Sequence, residues 1–292
     1  MPTVQLDDRA LVLVTGEDAE TFLQNILTTD LDALESDELK PGGLLSPQGK
    51  ILFDFLISRV PEGFRLDCRA DIASDFVKRL TLYRLRAKVQ ISIADQALVA
   101  VSWGFDSASS VPDSTSSEID SPVRDTRFPA ELGVLRHYGE IVADTDTAEW
   151  AALRTASGIA ESGSDYTLGD AFPHDVLFDQ TGGVGFAKGC YVGQEVVSRM
   201  QHRGTARRRI LIAESESALP AAGTEILANG RPLGALGTVT GKRGLAMVRI
   251  DRVKDALDAG LPVTAEGVQI HLSIPNWAKF GFPQQTNAAE SN

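Results

Sequence analysis

Leu11 to Val14 form a short apolar run ending at Gly16, and behind Asp18, a residue type that caps helices, Phe22, Leu23, Ile26 and Leu27 recur at helical spacing. Strand, turn and helix are predicted over residues 11–27. Pro41-Gly42-Gly43 and Ser46-Pro47-Gln48-Gly49 then mark two tight turns around Leu44-Leu45. Residues 51–58 and 64–70 read as strands joined by Pro61-Glu62-Gly63, and in the second Phe64, Leu66, Cys68 and Ala70 alternate onto one face. Asp71 is placed to cap a helix striped by Ile72, Phe76, Val77, Leu80 and Tyr83, and strands follow at 89–93 and 98–103. Strand, strand, helix, strand, strand describes a compact α+β unit with an antiparallel sheet.

Residues 107–121 hold seven serines with Asp113, Glu118 and Asp120, a composition too polar to order itself, and read as an exposed loop or linker. A short helix at 149–157 turns Trp150 and Leu153 inward and ends at Gly158, and residues 159–185 are loop-rich. From Arg208 the pattern changes to short strands at 208–213, 225–227, 236–240, 245–250 and 268–274, which suggests a small β-barrel or sandwich. A polar tail follows Pro283.

Composition narrows the function classes. The 292 residues are 43% hydrophobic and 23% charged with a mean hydropathy of −0.06, ordinary values for a folded soluble chain of about two domains. A net charge of −12 argues against a general affinity for nucleic-acid backbones. No apolar run approaches the ~20 residues that cross a bilayer, so no membrane partner is expected. Two cysteines outside any C-x-x-C pair exclude a disulfide framework and a zinc ribbon, and the N-terminus lacks secretory or transit features, so a reducing cytoplasmic setting is expected.

Chemistry concentrates in Lys188-Gly189-Cys190-Tyr191-Val192-Gly193-Gln194-Glu195. Val192, Val196, Val197 and Met200 have helical spacing, so a helix beginning near Tyr191 would hold Cys190 at its positive end, with Lys188 adding charge; such surroundings favour a thiolate. A small buried hydrophobe is the alternative reading of Cys190, and the expected one for Cys68. Lys188, Arg199, Arg203, Arg207, Arg208 and Arg209 face a single acid, Glu195, between Val184 and Arg209. In a strand Arg207 and Arg209 share one face, which suits a solvated edge or an anion site; RNA phosphates are a third option, weakened by the lack of interleaved aromatics and by the net charge. His174 and His202 are surface or ligand-contacting candidates; neither has a second histidine at ligand spacing, so no metal is assigned.

The window resembles the K-G-C-Y-x-G-Q-E signature of the YgfZ-type folate-binding proteins, relatives of the glycine-cleavage T-protein aminomethyltransferase. Gly16-x-Asp18-Ala19, Phe22-Leu23-Gln24, Thr28-Thr29-Asp30, Ser46-Pro47-Gln48-Gly49-Lys50, Tyr83-Arg84-Leu85-Arg86, Arg154 with Gly158-Ile159, Pro173-His174-Asp175 and Arg199 with Arg203-Gly204 agree in order, from about Leu11 to Ile274. The resemblance implies an α+β chain of three small domains around a central folate-sized opening: a discontinuous first domain (1–45 and 140–205), a ferredoxin-like antiparallel domain (46–139), and a C-terminal β-barrel (206–283) before a tail (284–292). It implies a folate-binding accessory protein that supports assembly or repair of iron–sulfur clusters in client enzymes, including tRNA-modifying ones. Tetrahydrofolate or a derivative is the expected ligand and cluster-assembly or client proteins the expected partners. Cys190 would be the functional residue, Lys188, Gly189, Tyr191, Gly193, Gln194 and Glu195 its motif, and Asp54, Lys188, Arg199 and Arg203 the folate contacts. The alternative is a folate-dependent aminomethyl or one-carbon transferase working through Asp54, which aligns with the T-protein's catalytic aspartate. Phe53 replaces the aspartate preceding it there, and Ala156 falls where that enzyme's pterin-binding glutamate stands. A stand-alone enzyme is therefore not expected.

Overall fold

The computed structural model describes residues 1–95, 98–104 and 121–283. Most of the serine-rich stretch, 107–120, and the tail from 284 lie outside the described residues. The chain divides into two compact units, Met1–Leu153 with Thr167–Thr205, and Arg154–Tyr166 with the segment from Ala206.

The first unit contains, in chain order, β1 (Thr3–Gln5), β2 (Arg9–Thr15), α1 (Ala19–Gln24), β3 (Glu38–Leu45), β4 (Ile51–Val60), β5 (Gly63–Arg69), α2 (Ala70–Arg84), β6 (Gln90–Ile93), β7 (Val99–Ser102), β8 (Val123–Asp125), β9 (Leu135–Tyr138), α3 (Thr147–Ser157) and α4 (Gln194–Arg203). The last turn of α3 is counted with the second unit. Its nine strands form one sheet in the order β1-β7-β9-β8-β3-β4-β5-β2-β6. The β3–β8 pair is parallel and the others are antiparallel. β2 lies between β5 and β6, so the sheet draws on both sides of residue 45.

The apolar face of this sheet follows the sequence pattern. Phe64, Leu66 and Cys68 of β5 join Val12, Val14, Phe55 and Ile57 in a core roofed by Phe76 and Leu80 of α2. Phe76 stacks between Phe53 and Phe55, with ring centroids 5.1 and 5.5 Å away. Trp150 of α3 packs with Trp103 and Phe128.

Several expectations are corrected. α1 stops at Gln24, short of the predicted Leu27, because the chain turns there and both Ile26 and Leu27 donate to the Leu23 carbonyl. Asp18 does not cap it through its side chain; that carboxylate accepts from the Lys88 amide at 2.7 Å. α2 is preceded by Arg69 rather than Asp71, whose carboxylate binds the Arg69 guanidinium.

The second unit continues with β10 (Arg208–Glu214), β11 (Glu225–Ala228), β12 (Arg231–Thr240), β13 (Arg243–Arg249), α5 (Ile250–Asp258), β14 (Val263–Ala265), β15 (Val268–Gln269) and β16 (His271–Ser273). They form a seven-stranded antiparallel sheet in the order β15-β14-β11-β12-β13-β10-β16. Leu211, Ile226, Ala246 and Leu272 fill its core together with Ile250, Val253 and Ala256 of α5, a helix the short-strand pattern had concealed. Arg154 is buried here, donating to the Ile159 carbonyl at 2.9 Å and to Asp165 at 3.1 Å, and Asp165 in turn accepts from the Thr238 amide at 2.7 Å. Gly158 has φ +74° and lies so close to Pro275 that a Cβ would approach its Cγ to 2.4 Å, which fixes glycine at the end of α3.

Candidate functional site

Two segments far apart in sequence meet around the Lys188–Glu195 window. The first is the Leu27-Thr28-Thr29-Asp30 turn after α1. The Thr28 hydroxyl donates to the Gly183 carbonyl at 2.6 Å and accepts from the Gly43 amide at 2.9 Å, while the Gly185 amide donates to the Thr28 carbonyl at 2.8 Å. Gln24 steadies the turn by donating to Asp30 and accepting from the Leu31 amide. The Lys188 side chain runs into this turn. Its Nζ donates to the Leu27 carbonyl at 2.7 Å and the Thr29 carbonyl at 2.6 Å. The ammonium also lies 5.3 Å from the Tyr191 ring centroid. Burial pulls the Lys188 pKa down to about 8, against the opposing pull of Asp30 and Asp32, so the group remains charged at neutral pH.

The second segment is the β3–β4 turn, closed by bonds from the Ser46 amide to the Lys50 carbonyl and from the Gly49 amide to the Ser46 carbonyl, both 2.8 Å. Gly193, with φ +80°, presses against it: a Cβ there would stand 2.5 Å from the Ser46 carbonyl oxygen. Gly49, also at φ +80°, faces Val196 of α4, whose Cβ a Cβ there would meet at 2.9 Å. Only glycine at both positions lets the turn and the start of α4 touch.

Between these supports the chain alternates inward and outward. Lys188 and Tyr191 are buried, whereas Phe186, Ala187, Gly189 and Cys190 are exposed. Burial raises the Tyr191 phenol to about 12, so it acts as a neutral anchor. Cys190 is a free, solvent-exposed thiol held between two fixed side chains. Cys68 is its opposite, buried with its thiol pushed up to about 12 chiefly by desolvation.

The expected electrostatics of the thiol are corrected in one respect. α4 begins at Gln194 with Gly193 as its cap, so Cys190 stands in the preceding loop and not at the first turn of the helix. Gln194 reaches back to the Gly189 carbonyl at 3.5 Å, and Glu195 pairs with Arg199 at 3.1 Å on the exposed face of α4. Arg203 is exposed at the end of the same helix, and Asp54 is half-buried on β4, in register with Gly43.

Other candidates fall elsewhere. His174 is fully buried, its Nε2 3.1 Å from the Gln201 Oε1, while His202 is exposed. Arg207 and Arg209 do not share an exposed face: Arg207 precedes β10 and is exposed, while Arg209 is buried over the Phe280 ring at 4.6 Å. Among the described residues no three His, Cys, Asp or Glu side chains are grouped to hold a metal ion, and no helix is long and apolar enough to cross a membrane. A cleft of about 940 Å³ in the second unit, lined by Glu214, Lys242, Arg243 and His271 among others, contains none of the residues expected at a functional site. The support that sequence reading missed is Thr28-Thr29-Asp30 as the receptor of Lys188. Its signal was present as a motif, but nothing local showed that its carbonyls face a lysine some 160 residues away.

Comparison with known proteins bears on the fold and on the chain as a whole. The C-terminal segment 207–280 matches the family model described as the CAF17 C-terminal beta-barrel domain. The iron-sulfur cluster assembly factor IBA57 of human and of mouse mitochondria are each 28% identical to this chain, over 94% of it and 84% of the relative. The mitochondrial IBA57 homologue of Pyricularia oryzae is 28% identical over 96% of this chain and 86% of its own. The glycine cleavage system aminomethyltransferase T of Bartonella henselae superposes with a TM-score of 0.69 at 16% identity, covering 95% of this chain and 86% of that one.

These relatives correct the expected cytoplasmic setting, because all three are named as mitochondrial proteins. The chain thus has the fold of an aminomethyltransferase T with a CAF17-type C-terminal barrel, and along nearly its whole length its sequence is similar to the IBA57 iron–sulfur assembly factors.

Proposed function

We propose that this chain is an accessory factor in iron–sulfur cluster assembly and that Cys190 is the residue through which it acts on the cluster. The observation that carries the reading is the way the thiol is presented: exposed, on a loop pinned by the buried Lys188 and Tyr191 and braced by Gly193 against the β3–β4 turn. The IBA57 names of the relatives supply the chemistry. One thiol cannot enclose a cluster that takes four thiolates, so the cluster is cargo shared with a partner that provides the remaining ligands. The resemblance to YgfZ-type proteins rests on the same K-G-C-Y-x-G-Q-E window, and tRNA-modifying enzymes belong to the proposed clients on that ground.

Tetrahydrofolate is a proposed ligand, and the candidate contacts fit it incompletely. Arg199 and Arg203 are accessible to carboxylates and Asp54 is half-buried, but the Lys188 ammonium is engaged by two backbone carbonyls. Ala156 offers no acceptor for a pterin edge. The likeness to an aminomethyltransferase is one of fold, and the sequence relatives favour cluster assembly over that activity.

The reading is tested by reconstitution with ferric iron, sulfide and glutathione, the last supplying the missing thiolates, followed by gel filtration. Visible cluster absorbance should travel with the wild-type chain and be lost with Cys190→Ser while Cys68→Ala retains it. Absorbance that travels equally with Cys190→Ser would overturn it.

A further inference from the structure

The Tyr83-Arg84-Leu85-Arg86 segment plays no part in the site above, yet its surface is unusual. α2 buries Ala73, Phe76 and Leu80, and its last turn leaves Leu82 71% exposed and Leu85 87% exposed. Leu85 follows the helix with φ 47° and ψ −106°, a left-handed conformation that strains a residue bearing a Cβ. Glycine is the usual choice at such a helix end. Leucine here accepts backbone strain and places a large apolar side chain almost wholly in water.

Charge gathers at the same place. Lys78, Arg79, Arg84, Arg86 and Lys88 occur without an acid between Phe76 and Ala94, on a chain whose net charge is −12. Lys78 pairs with Asp75, and Lys88 with Glu17. Arg79, Arg84 and Arg86 are exposed and make no ion pair among the described residues. Arg79 and Leu82 are one helical turn apart and so are neighbours on the surface.

We propose that the C-terminal end of α2 is a docking surface for a partner protein that presents acidic side chains around an apolar recess. Arginine forks suit carboxylates, and Leu82 and Leu85 supply the buried contact that a purely electrostatic encounter lacks. An anionic bilayer or an RNA strand would answer the arginines but meets the repulsion of the rest of the chain; a bilayer also calls for a longer apolar stripe, and RNA for stacking aromatics. This surface stands apart from the cluster reading and is read out separately from it.

The test is a fluorescence-anisotropy titration of the full chain with a labelled synthetic amphipathic helix, glutamates on one face and leucines on the other, against a scrambled peptide of the same composition. The ordered helix should bind about tenfold more tightly than the scramble. Arg79→Glu/Arg84→Glu/Arg86→Glu should weaken it about tenfold, with binding restored to a helix carrying lysines in place of glutamates, and Arg231→Glu, an exposed change in the second unit, should leave it unaltered. Leu85→Gly should raise the melting temperature and still weaken binding, a pairing that a purely structural leucine would not give. Equal binding of the two peptides, or an unchanged affinity in the arginine triple variant, overturns the proposal. Vesicles of phosphatidylserine or an RNA oligonucleotide that bind this surface more tightly than the helix do so as well.

Discussion

At the residue scale the two cysteines make the clearest contrast. Cys190 is exposed and Cys68 is buried beside Phe64 and Leu66, its thiol raised to about 12 by desolvation. Iodoacetamide should modify Cys190 in the native protein and reach Cys68 only on unfolding; one adduct at Cys190 by mass spectrometry is the expected result. Cys190→Ser should change stability by less than about 0.5 kcal/mol, as for other exposed positions away from structural contacts. Lys188 gives a pH signature. Its folded pKa, about 8 against 10.5 for an unburied lysine, means that the unfolded chain holds more protons across that window. Burial of the ammonium therefore costs stability fully below pH 8, and the cost is relieved as pH rises toward 10.5. Urea melts should show wild type gaining up to about 3 kcal/mol relative to Lys188→Met over that range. Parallel pH curves would contradict the burial of the charge.

At the scale of elements, the brace between the β3–β4 turn and α4 depends on two glycines. Gly193→Ala should cost about 1–3 kcal/mol, because the alanine must hold positive φ and its Cβ meets the Ser46 carbonyl. The variant should also lower cluster retention, even where melting shows it folded, because the Cys190 loop loses its support. What the sequence disclosed, and what it hid, follows from the range of the interactions. The apolar face of β5 was legible because period-two alternation is local. Its other face carries Arg65 and Asp67, polar side chains that are nonetheless buried, because β9 supplies Arg136 and Tyr138 from some 70 residues further on. α5 was hidden because its nine residues stand among short strands, although Ile250, Val253 and Ala256 already had helical spacing. The K-G-C-Y-x-G-Q-E window marked the proposed site, whereas the inward turn of Lys188 depended on carbonyls no local pattern could place.

At the scale of the whole molecule, the first unit is organised around a buried carboxylate. Asp67 accepts from Arg9 Nε at 2.6 Å and from the Tyr138 hydroxyl at 3.3 Å, and Arg136, with no exposed surface, places its Nε 3.3 Å away. The Arg65 guanidinium lies 3.3 Å over the Tyr138 ring. Asp67→Asn removes the charge that offsets these arginines and should cost about 3–5 kcal/mol in a urea melt, far more than any change at Cys190. Stability and the proposed chemistry thus occupy different places: a buried ion cluster between β5 and β9, and an exposed thiol on a braced loop. The most direct test of the cluster-assembly account is the activity of iron–sulfur enzymes in cells that lack this protein and carry a plasmid copy. Wild type and Cys68→Ala should restore that activity and Cys190→Ser should not, at equal protein levels; full restoration by Cys190→Ser would contradict the account.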